Sequence, residues 1–138
     1  SELKVEFNID PESRMLDIPD ELNRNQLVTI LGNIINNAFE AALAGDRPPR
    51  VDLFLSDFGT DLIFEVADSG AGIPEEMGER IFERGISNKR GTQRGDGLHL
   101  DSNALKALNG GISVQTAEIG GALFIIEIPK KRAGHENN

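Results

Sequence analysis

The segment Asp68-Ser-Gly-Ala-Gly-Ile-Pro74 places a carboxylate at the end of an apolar run, with two glycines behind it and then a proline suited to a helix start. Upstream, Asn33 and Asn37 lie about one helical turn apart. A carboxylate in the first setting can accept a hydrogen bond from the exocyclic amine of a purine. Gly70 and Gly72 let the backbone approach a flat ring with no Cβ between. The same letters also spell an ordinary Asp-Ser-Gly turn. At about 100° per residue, Asn33, Asn37 and Glu40 fall within about 60° of one another on a helix, a polar stripe bordering its apolar face. Their oxygens suit Mg²⁺, which keeps several waters and shares phosphate oxygens. The alternative is a solvated helix face. Asn is a poor helix former, however, so Asn33, Asn36 and Asn37 together need a reason.

Two further stretches bear on anions. Ile81 to Lys89 leads into Arg90 and Arg94, and Lys89, Arg90 and Arg94 are flexible cations suited to phosphates. Around Gly95 to Gly97 the backbone amides run into a helix, a natural anion site. A solvated basic loop is the plain alternative. A purine holder, a metal holder and a phosphate loop together describe a nucleoside triphosphate site without a Walker loop.

The elements that must position these groups follow from periodicity. Val5, Phe7 and Ile9 alternate with polar residues as a half-buried strand. Asp10 to Ser13 reads as a turn, and Met15 to Ile18 as a short return strand. A helix is expected from Asn25 to Ala44, with Leu27, Ile30, Leu31, Ile34, Ala38, Ala41 and Ala42 on its apolar face. Val51 to Leu55 and Leu62 to Val66 make a hairpin. A short helix should span Pro74 to Phe82. Gly85 to Gly97 is Gly-, Arg- and Lys-rich, with almost no apolar residue to fold on a core. A second helix should cover Ser102 to Leu108, with Asp101 or Ser102 as cap and Gly110 as stop. Ile112 to Thr116 and Ala122 to Ile128 form a last hairpin across Gly120-Gly121. Strands on one side and helices on the other give an α/β two-layer sandwich.

Composition bounds the rest. At 138 residues the chain fits one domain, residues 1–130, with a polar tail over 131–138 that is expected to be disordered. A formal net charge of -9 argues against nucleic acid or anionic membrane as the main partner. The lack of cysteine excludes disulfides and thiolate metal sites and fits the cytoplasm. No uninterrupted apolar run reaches the roughly 18 residues of a membrane span, and no signal peptide is visible. The opening Ser1-Glu2 carries no start methionine, as expected of a piece of a longer protein.

The order of the four motifs resembles the Bergerat-type ATP-binding domain of sensor histidine kinases, gyrase, Hsp90 and MutL proteins, over about Leu3 to Lys130. Leu27 to Ala41 and Phe82-Glu-Arg-Gly-Ile-Ser-Asn-Lys89 are similar to the citrate and C4-dicarboxylate sensor kinases of bacterial two-component systems. That resemblance implies a mixed β-sheet packed on one side by about three helices. It implies ATP and Mg²⁺ as cofactors, with Asn37 as the magnesium ligand and Asn33 near the phosphates. It assigns Asn33, Asn37 and Glu40 to the catalytic group, with Glu40 orienting a magnesium-bound water rather than acting as a base. It gives Asp68 the adenine amine and Gly70 and Gly72 the adenine pocket. Phe82 falls in the F box, Lys89 and Arg90 in a mobile lid, and Gly95, Gly97 and Leu98 in the second glycine box.

Two departures sort among relatives. ATP-hydrolysing members and anti-sigma serine kinases usually carry Glu four residues before the magnesium Asn; here it is Asn33, which favours transfer to a histidine over those readings. The glycine box reads Gly95-Asp96-Gly97-Leu98-His99-Leu100. Either His99 replaces the third glycine, or Gly97-Leu98 closes the box and the next helix is longer; a binding module without turnover stays open on this point. The two histidines, His99 and His135, both lack an acceptor context, so the phospho-acceptor is expected upstream, on a dimerisation domain of the same parent protein. A response regulator would act downstream. The isolated domain is expected to be a monomer, and the parent to be anchored in the bacterial inner membrane with this domain in the cytoplasm.

Overall fold

A computed structural model describes residues 4–83 and 97–131. Five strands form one sheet in the order β1-β2-β3-β5-β4: β1 Glu6–Ile9, β2 Arg50–Ser56, β3 Asp61–Asp68, β4 Gly111–Thr116 and β5 Ala122–Pro129. β1 runs parallel to β2, a pairing that needs a long crossover, and α1 (Arg24–Ala44) supplies it. The other pairings are antiparallel: β2 with β3 and β4 with β5 are sequential hairpins, and β3 pairs with β5 across the intervening α2 and β4, with Val51 opposite Asp68 and Ala67 opposite Leu123. The described helical elements are α1, a 3₁₀ turn at Gly78–Phe82 and α2 (Gly97–Ala107). The mixed sheet with helices on one face is the two-layer α/β sandwich read from the sequence.

Strict alternation in β3 buries Leu62, Phe64, Val66 and Asp68 on the helix side. Against them α1 buries Leu27, Ile30, Ile34, Ala38 and Ala42. Asn23 caps α1, its side chain accepting from the Gln26 amide at 3.0 Å. By length and composition α1 could cross a membrane, but here it is the helix on which the core is built.

Four expectations change. β1 is an edge strand, and Phe7 and Ile9 remain 43% and 54% exposed. Phe7 meets Phe39 of α1 edge-on at 5.5 Å. Met15 to Ile18 forms no strand, because its backbone is satisfied otherwise. The amides of Leu16 and Asp17 both donate to Asp57 Oδ2 at 2.6 Å, and Arg14 N donates to the Leu55 carbonyl at 3.0 Å. Pro74 to Phe82 is a turn followed by a 3₁₀ helix rather than one α-helix.

α2 starts at Gly97, about a turn earlier than expected. Asp101 is therefore inside the helix and not its cap. At the other end Asn109 takes the left-handed conformation (φ 63°), and the Gly110 amide donates to the Leu105 carbonyl at 2.8 Å.

Candidate nucleotide site

Asp68 ends β3 on the core side and is 2% exposed. Its Oδ1 accepts from the amides of Gly70 (2.8 Å) and Ala122 (3.2 Å). Burial pushes its carboxyl up, and the Gly70 and Ala122 amides pull it back toward ionisation. The turn after it is held from three sides. A side chain on Gly70 would meet the Ala41 carbonyl of α1 at 2.6 Å, so Gly70 is needed for packing on that helix. Gly72 sits at φ 84°, a conformation glycine adopts without strain. Arg47, just past α1, donates from Nη1 to the Gly70 carbonyl at 2.9 Å.

Gly121 was not among the residues singled out from the sequence. Its amide donates to the Asp68 carbonyl at 2.9 Å, and a Cβ there would collide with Asp68 Oδ1. Gly120-Gly121 reads as a hairpin turn, and its second role depends on β5 lying beside β3. Arg47 was likewise hidden, since nothing local marks a loop arginine as a brace.

The contact of Gly70 with Ala41 aligns the Asp68 turn with α1. Asn37 lies about one turn back along that helix and Asn33 about two. At 1.5 Å per residue, Ala41 to Asn33 spans on the order of 12 Å, suited to a nucleotide laid along the helix with its base at Asp68. Asn37 is half-buried, while Asn33 and Glu40 are exposed. Asn33 Nδ2 donates to Asp101 Oδ1 of α2 at 3.1 Å. Asp101 is 3% exposed, and burial pushes its carboxyl up to about 6 despite the Asn33 hydrogen bond. Its Oδ2 is buried with no hydrogen-bond partner among the described residues. This end of α1 thus offers carboxamide and carboxylate oxygens, the donor chemistry a hard cation such as Mg²⁺ prefers.

Phe82 packs edge-on against Phe124 of β5 at 6.1 Å. Its carbonyl accepts from His99 Nδ1 at 3.3 Å, and His99 Nε2 accepts from Asn103 Nδ2 at 3.2 Å, which puts the ring proton on Nδ1. His99 is thus a first-turn residue of α2 without positive φ, and of the two registers the longer-helix one holds. Leu98 is buried in the core and seats α2, while a Cβ on Gly97, the first described residue of the helix, would meet nothing among the described residues. Lys89, Arg90 and Gly95 lie outside the described residues, as do Arg94, Asp96 and His135. A cavity of about 640 Å³ lies among Asn8, Arg50, Asp52, Phe54, Glu65 and Gln115, and none of Asn33, Asn37 or Asp68 lines it.

Residues 22–132 match the model of the histidine kinase-, DNA gyrase B- and HSP90-like ATPase family. The chain belongs to this family. Among curated relatives, the sensor protein CitS of Halalkalibacterium halodurans is 44% identical over 133 residues, 96% of this chain and 25% of its own length. The sensor histidine kinase DpiB of Escherichia coli is 39% identical over 132 residues, 94% of this chain and 24% of its own length. The chain therefore spans about a quarter of the curated relatives it matches. Among solved structures, the catalytic domain of histidine kinase ThkA superposes with a TM-score of 0.78 at 28% identity, covering 93% of this chain and 82% of that one. ThkA has also been solved in complex with the response regulator protein TrrA. For a member of this ATPase family, nucleotide use is the coarse function of the domain, and its relatives are sensor histidine kinases.

Proposed function

We propose that this domain binds ATP with Mg²⁺ and presents the γ-phosphate to a histidine on a dimerisation domain of the same parent protein. The observation that carries the reading is Asp68, a buried carboxylate held by two amides and aligned with Asn37 and Asn33 along α1. Asp68 accepts the adenine amine. Gly72 and Gly121 keep the pocket open beside it. Asn37 holds the metal and Asn33 faces the phosphates, with Glu40 next along the stripe. Bound magnesium neutralises phosphate charge, the main requirement of phosphoryl transfer besides positioning. Gly97 and Leu98, at the start of α2, lie on the phosphate side, and the sequence offers Gly95, Lys89 and Arg90 for the same phosphates. Asn33 has no base chemistry, which suits a neutral imidazole as acceptor. His99, paired with Phe82 and Asn103, is not that acceptor.

Following the relatives, the parent is a membrane-anchored sensor kinase with this domain in the cytoplasm. It passes phosphate to a response regulator. The isolated domain is a monomer. Calorimetric titration tests the reading. The domain should bind ATP well above GTP, because guanine offers a carbonyl where adenine offers the amine. Asp68→Ala should weaken ATP by about 1.5–3 kcal/mol, the range of a charge-assisted bond. Equal affinity for ATP and GTP would sink it.

A further inference from the structure

α2 buries Leu98, Asp101 and Leu105, the spacing of one helix face turned inward. Two of the three are leucines. The third is an acid, 3% exposed. Its environment does little to compensate for burial. One oxygen accepts from Asn33 Nδ2 at 3.1 Å, and the other finds no partner among the described residues. A buried acid with an unmade bond costs stability, so its presence calls for a role other than holding the fold together.

The contact that Asp101 does make supplies that role. A carboxamide can present either its oxygen or its nitrogen to a ligand, and an acceptor at one side removes the choice. Ionised, Asp101 can accept but not donate, so Asn33 must turn its Nδ2 toward α2 and its Oδ1 away from it. We infer that Asp101 is a positioning residue: it fixes the carboxamide of Asn33 in one of its two orientations and so prepares the phosphate end of α1 for a magnesium-bound nucleotide. This rests on the reading of Asn33 and Asn37 as the phosphate and metal end of the site. It adds a residue of α2, about two turns of α1 away from Ala41, to a site otherwise read from α1, the Asp68 turn and the glycine loop.

The test compares Asp101→Ala, Asp101→Asn and Asn33→Ala, alone and in the Asp101→Ala/Asn33→Ala pair. Each is titrated with ATP in magnesium and in EDTA, and melted without nucleotide. Asp101→Ala should weaken ATP about five- to tenfold in magnesium, and change it less than twofold in EDTA, where the Asp68 end dominates. Asp101→Asn offers a donor as well as an acceptor, so it restores the choice and should weaken ATP in magnesium about two- to fivefold, less than Asp101→Ala. On the Asn33→Ala background, Asp101→Ala should have no further effect, because the two act through one contact. The melting temperature of Asp101→Ala should equal or exceed that of the parent. A lowered melting temperature, or failure to fold, would assign Asp101 to the fold and overturn the inference. So would an Asp101→Ala effect that persists without Asn33, or unchanged affinity in every variant. If the unaltered domain binds no ATP, the functional reading itself fails and this inference goes with it; if the domain binds and the variants bind equally, only the assignment of Asp101 fails.

Discussion

Asp101 and Asp68 are both carboxyls held up by burial, and this has a consequence for pH. A group whose folded pKa is raised contributes stability that is full below its unfolded pKa, near 4, and lost as pH rises through the folded value. For Asp101 that window runs from about 4 to about 6. Asp101→Asn carries no such penalty. Its stability advantage over the parent should be small near pH 4, grow through pH 6 and level off at about 1–2 kcal/mol near neutrality, allowing for solvent near the site. Denaturant melts of both proteins at a series of pH values measure this. Asp68 acts in the same direction, so the variant should retain part of the slope.

The segment between β1 and α1 shows how one side chain replaces a strand. Asp57, at the end of β2, is 1% exposed and takes the Leu16 and Asp17 amides on Oδ2. Arg14 Nη1 lies 3.0 Å from its Oδ1, and Lys130 donates to its backbone carbonyl. Burial pushes the Asp57 carboxyl up, but the two amides, Arg14 and Lys130 outweigh it and hold it below its ordinary range. The sign is opposite to that of Asp101: this stability is present above pH 4 and lost as pH falls through the lowered value. Asp57→Asn should therefore melt well below the parent at pH 7, and the gap between the two should close in acid. A gap that is constant with pH would mean that the charge of Asp57 is irrelevant to its role. Periodicity cannot find such a segment, because its hydrogen bonds run to a carboxylate some forty residues away instead of to a neighbouring strand.

For the domain as a whole, the proposed site and the core share α1 but use different faces of it. Leu27, Ile30, Ile34, Ala38 and Ala42 hold the sheet, and Asn33, Asn37 and Glu40 lie outside that buried set. Asn37→Ala should accordingly leave the melting temperature unchanged or slightly raised, since Ala is the better helix former. The same variant should lose magnesium-dependent ATP binding. Unfolding of Asn37→Ala without nucleotide would make Asn37 a structural residue. With γ-labelled ATP the domain alone should acquire no acid-labile label, and a supplied histidine-bearing hairpin should acquire it. Label on the lone domain that vanishes in His135→Ala would contradict this.

Much of this follows from local sequence. The alternation in β2, β3 and β5 and the spacing of apolar residues on α1 specify strands, helix and buried faces, because both periods are properties of the backbone. Asp68, with glycines at 70 and 72, is legible for the same reason: the motif is contiguous. What local sequence leaves undecided lies where distant segments meet. His99 has two registers in the sequence, and the Phe82 carbonyl, seventeen residues upstream, accompanies the one in which α2 starts at Gly97. Gly121 and Arg47 matter only because β5 and the end of α1 pack against the Asp68 turn. Asp101 reads as a helix cap until tertiary packing places it beneath Asn33, sixty-eight residues away. The sequence by itself determined the elements and the contiguous motifs, because each rests on neighbours along the chain; only the tertiary structure decided which side chains meet around the Asp68 turn and Asn33, because their partners are brought together by packing alone.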